Sequence, residues 1–203
     1  MLYATRGVSA MTGSFAQLNS LLHEVWPAVS KIDWTAYGEK IVAYDETGVP
    51  KCTGIIAHFA SSEPVVGQQT QVCGFLPRPE KSAQTVVRKV RLLQENKQHS
   101  ASLELRNPSQ GDWGGAVRSE VTPGQICAVS GLPEIGDHLL VLEMMRCLGM
   151  LPREGYYLHG VNSHSSIVKN ACKDVGMIDV QFCDLHRLLA DIVNDSSSRL
   201  GYI

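Results

Sequence analysis

QICAVSGLPEIGDHLLVLEMMRCLG, residues 125–149, reads as a strand, a corner and a long buried helix. Ile126 to Val129 is a short apolar run of the kind a strand covered on both faces requires. Ser130-Gly131 breaks that run, and Pro133 suits a first helical turn, where its missing N–H would have had no partner. Glu134 and Asp137 fall in the same turn, where the helix dipole favours negative charge. From Leu139 to Leu148 almost every residue is apolar, so this helix should be buried on most of its surface. The core belongs here.

Working outward toward the N-terminus, Ala116–Val121 is a strand, and Thr122-Pro123-Gly124-Gln125 places Pro and Gly at the two centres of a type II turn. The two strands flanking that turn should therefore pair as a hairpin. Ala101–Arg106 alternates Ala101, Leu103 and Leu105 with polar neighbours and predicts a half-buried strand. Asn107–Gly115 is loop by composition. Pro79 opens a helix whose buried face is Ala83, Val86, Val87, Val90 and Leu93, with Lys81, Arg88 and Arg91 toward solvent. Residues 60–79 show no clear period and could hide a short strand near Gln71–Phe75. Lys40–Tyr44 and Lys51–Phe59 predict a hairpin across Asp45–Pro50. Thr12-Gly13-Ser14 offers a cap for a helix on Phe15, Leu18, Leu22 and Val25 that Pro27 should stop.

Beyond Gly149, SHSSIVKNACKDVG predicts a helix, Ile178–Phe182 a further strand, and Asp184 a cap for a final helix through Val193 with a frayed Ser-rich end. The 203 residues fit one domain with an added terminal piece, 1–150 followed by an extension over 151–203 packed on it. A formal net charge of -2 argues against a general nucleic-acid surface and against electrostatic docking to membranes. No apolar run reaches the length of a bilayer span. The six cysteines are scattered, several within apolar runs, and are expected as reduced, mostly buried thiols of a cytoplasmic protein.

Three constellations carry candidate chemistry. Asp137-His138 could act as acid, base or ligand, or could serve the helix start and pack beneath the corner. Arg88, Lys89 and Arg91, with His99 and the Gly114-Gly115 loop, could hold an anionic group, or could be a solvated helix face. Cys183, His186, Cys172, His159 and His164 could supply zinc ligands, but no Cys-x-x-Cys pair is present and no metal is expected.

Ser130–Glu143, SGLPEIGDHLLVLE, resembles the corner-and-helix signature of the GlcG/HbpS-like family of haem-degrading or haem-binding domains. Arg88–Arg106 resembles the family's basic helix, His-Ser step and Leu-Glu-Leu strand, and Gly114-Gly115-Ala116-Val117 its Gly-rich strand entry. Asp112-Trp113 stand where the family branch carries a His. The resemblance implies an α/β fold, a profilin-like layer with an antiparallel sheet of about five strands packed with helices. It leaves an extra C-terminal α/β segment, and it implies assembly into homo-oligomers. It also implies a site for a small anionic ligand, with haem or another tetrapyrrole as the ligand class, at Arg88, Arg91, His99, Gly114, Gly115, Asp137 and His138. Two alternatives stand beside a binding module: a scaffold without catalysis, and an enzyme acting on a small polar metabolite through Asp137-His138.

Overall fold

The computed structural model describes residues 15–38, 53–61, 69–121, 124–152 and 165–203. The central stretch is as its sequence dictates. Strand β4 (Gln125–Ser130) is buried from Ile126 onward, and helix α3 (Glu134–Cys147) is buried almost all round, with Arg146 and the helix's first residue the exceptions. Pro133 takes the capping position of α3 rather than its first turn. Strand β4 is central because it pairs antiparallel with β1 (Gly54–Ser61) on one side and β3 (Ala116–Arg118) on the other. Strand β2 (Gln69–Gly74) completes the order β2-β1-β4-β3. Among the described residues the sheet has four antiparallel strands rather than about five.

Alternation along β1 divides the interior. Ile55, Ala57 and Phe59 face a core shared with α1 (Phe15–Val29), α3 and the last helix, α5 (Asp179–Arg199). Ile56 and Ala60 face the other way, with Ala116, Ile126 and Ala128, and are covered by α2 (Pro79–Glu95). Burial of these aliphatic side chains at roughly 25 cal/mol per Å² is the main favourable term on both faces. Phe15 on α1 stacks on Phe59 with ring centroids 6.1 Å apart.

Strands β3 and β4 pair as the expected antiparallel hairpin, with Val117 opposite Cys127, a register that leaves a longer connection than a two-residue turn. Gly124 has φ 90°, in the left-handed region that favours glycine; Thr122 and Pro123, and with them the expected type II turn, lie outside the described residues. Strand β3 ends at Arg118, short of Val121, because Ser119 turns its hydroxyl away to the Met150 carbonyl at 2.8 Å. The short strand suspected near Gln71–Phe75 is β2, and β1 pairs with it. The predicted partner Lys40–Tyr44 and its turn lie outside the described residues.

Ala101–Arg106 is not a strand. Only Ala101 bridges to Val117, and Ser102–Leu105 forms a 3-10 turn. Two side chains impose it: the Glu104 carboxylate accepts the Ala101 N–H at 3.0 Å, and the Ser102 hydroxyl accepts the Ala116 N–H at 2.9 Å. Such local bonds offer the backbone an alternative to a ladder.

Helix α1 runs through Pro27 to Val29 instead of stopping there, and its expected cap at 12–14 lies outside the described residues. The C-terminal segment is helical where it is described, not α/β. Helix α4 (Ser166–Val175) ends on Gly176 with φ 72°, and α5 absorbs the expected strand at 178–182. Gln181 caps α5 by accepting the Ile178 N–H at 2.9 Å, so the helix starts well before Asp184. Its Ser-rich end is not frayed. Ser196 and Ser197 are fully buried, and Arg199 holds Glu24 of α1 at 2.7 Å. Helix α5 packs on α3 and α1, and α4 on α3. No helix of the described residues is long and apolar enough to cross a membrane.

Candidate functional site

Lys89 and Asp137 meet where β3 begins and the corner follows β4. Lys89 sits on the apolar stripe of α2, between Val86, Val90 and Leu93, so its side chain is carried inward. Its ammonium donates to Asp137 Oδ2 at 2.8 Å and to the Val129 carbonyl at 2.7 Å. The other carboxylate oxygen, Oδ1, accepts the Leu132 N–H at 3.0 Å and so pins the corner. The two side chains are 3% and 4% exposed. Burial pushes the Asp137 carboxyl up to about 6, against the pull of the Lys89 charge and of the Lys89 and Leu132 hydrogen bonds.

Gly115 makes room for this contact. It has φ 104°, and a Cβ there would lie 2.8 Å from the Lys89 nitrogen and 2.8 Å from Asp137 Cβ. Gly115→Ala is expected to cost about 1–3 kcal/mol in strain alone, seen as a lower urea midpoint; an unchanged midpoint would mean that the lysine does not need this gap.

A second set of bonds lies beside the first. The Gly114 N–H, expected to be open to a ligand, donates to Glu134 Oε1 at 2.6 Å. Glu134 Oε2 accepts from Arg106 at 2.8 Å, and Arg106 also holds Asp174 of α4 at 2.5 Å. The Arg106 guanidinium lies 5.9 Å from the Trp113 ring centroid. Arg106 thereby ties the C-terminal segment to the corner.

The remaining expected residues go elsewhere. Arg88 pairs with Asp112 at 2.5 Å, and Arg91 is exposed on the outer face of α2. His99 Nδ1 lies 2.9 Å from Glu104 Oε2. His138 is fully buried in α3. A concavity borders the outer side of α2, lined among the described residues by that helix, including Val87, Arg88, Arg91 and Leu92. The structure therefore brings together Asp137, Gly115 and Lys89, with Gly114 adjoining through Glu134, and leaves Arg88, Arg91 and His99 outside that cluster.

Sequence reasoning missed a second buried carboxylate. Glu143 is fully buried and held by Arg146 at 2.8 Å and by His186 of α5 at 2.8 Å. Arg146 reaches on to Asn194 at 2.6 Å. The available signal was an acid inside an apolar helix, which demands a partner. His186 is thus committed to Glu143, while Cys172 donates to the Met177 sulfur at 3.8 Å with its thiol pushed up to about 12 by burial. Among the described residues no group of three or more His, Cys, Asp or Glu is placed to hold a metal; His159 and His164 lie outside them. The described cysteines are free thiols, all buried except Cys183. Cys73 lies 3.4 Å from His23 Nδ1, and burial pushes its thiol up to about 11.

Comparison of the chain with protein-family models, with curated proteins and with solved structures finds no match.

Proposed function

We propose that the chain is an assembling interaction module, an oligomeric scaffold in which the charged cluster around Asp137 is architecture. The observation that carries this reading is the closure of that cluster. Asp137 commits its two oxygens to Lys89 and Leu132, and Glu134 commits its two to Gly114 and Arg106. A ligand entering there would have to displace bonds that are already made between buried groups, which costs more than it returns. The resemblance to the GlcG/HbpS-like family, whose members usually assemble, supports the oligomer.

A second reading, binding of a tetrapyrrole such as haem or of another small anion, draws on a different observation. Arg88 and Arg91 both reach solvent on α2, and His99 is 31% exposed. Cations on an accessible face can hold a propionate.

One experiment separates the two. The protein is purified, its solution mass is measured, and its absorbance is recorded with haemin added in steps. The scaffold reading expects a mass at least twice 22.2 kDa and a haemin spectrum unaltered by the protein. A saturable shift of the haem band that Arg88→Ala/Arg91→Ala abolishes would move the conclusion to binding. A monomer at every concentration tested would end the scaffold reading.

A further inference from the structure

We draw no further inference here: the strongest candidate, the concavity along the outer side of α2 that Val87, Arg88 and Arg91 line, carries nothing because Arg88 is already committed to Asp112 and nothing in the structure shows what fills it.

Discussion

Lys89→Met is expected to lower the unfolding free energy by about 3–5 kcal/mol near pH 8, the usual cost of stranding one member of a buried ion pair. Methionine keeps the length and apolar stem of the side chain, so the loss reports the ammonium and not the packing. The deficit should depend on pH. In the wild type, Asp137 titrates near 6 when folded, above its ordinary value of 3.8. A carboxyl raised in this way holds its proton more tightly when folded, so its contribution is fully present below about pH 4 and is lost as pH rises through the folded value. Lys89 supplies two of the influences that hold that value down. Without it the Asp137 carboxyl climbs further, and the variant goes on losing stability above pH 6 where the wild type has levelled off. Urea unfolding at pH 5 and pH 8 reads this directly. A deficit that is equal at both values, or larger at pH 5, would contradict it.

Gly131→Ala is the other severe change. Gly131 turns the chain out of β4 with φ 134°, and a Cβ there would lie 2.3 Å from the Gly54 carbonyl oxygen and 3.0 Å from Ile55 Cα. Both atoms are backbone of β1, which is held between β2 and β4 and cannot withdraw. Strain and collision together should cost about 4 kcal/mol or more, which for a chain of this size lowers Tm by about 8–16 °C. Gly111 makes the control. It too has positive φ, 76°, but a Cβ there meets nothing within 4 Å. Gly111→Ala should cost about 1–2 kcal/mol, from conformation alone. Equal melting temperatures for the two variants would contradict the corner's role.

The contrast between these residues shows what the sequence made legible. Pattern and turn chemistry located β4, α3, the β3–β4 hairpin, α2 and α4, because each is set by local residues: an apolar run, Pro-Gly at a turn, a glycine after a helix. Segment 101–106 escaped because its alternation of apolar and polar residues is also satisfied by a 3-10 turn once Glu104 and Ser102 bond to nearby N–H groups. Residues 178–182 escaped because five residues in which Ile178, Val180 and Phe182 alternate with Asp179 and Gln181 read as a strand, although they begin a helix. The spacing of Phe182, Leu185, Leu189 and Val193 does make that distinction.

Lys89 is the instructive case for the site. Read by residue type it joins Arg88 and Arg91 as a basic cluster on a wet face. Read by helical phase it falls with Val86, Val90 and Leu93, and a lysine on a buried stripe requires a carboxylate within reach. The apolar helix α3 carries two such acids, Asp137 and Glu143. Matching Lys89 to the first and α5 to the second needed the tertiary arrangement, because the partners are separated by 48 and 43 residues.

That the Lys89–Asp137 pair is architecture rather than a ligand site is tested most directly by urea unfolding of four proteins at pH 8: wild type, Lys89→Met, Asp137→Asn and the double variant. Asparagine keeps an acceptor for the Leu132 N–H and removes the charge. The single variants should be strongly destabilised. The double variant, with no charge left unpaired, should recover most of the loss suffered by Lys89→Met, so that its loss falls well below the sum of the two singles. A double variant as unstable as the sum of the two singles would show that the two charges do not compensate each other, and would contradict this account.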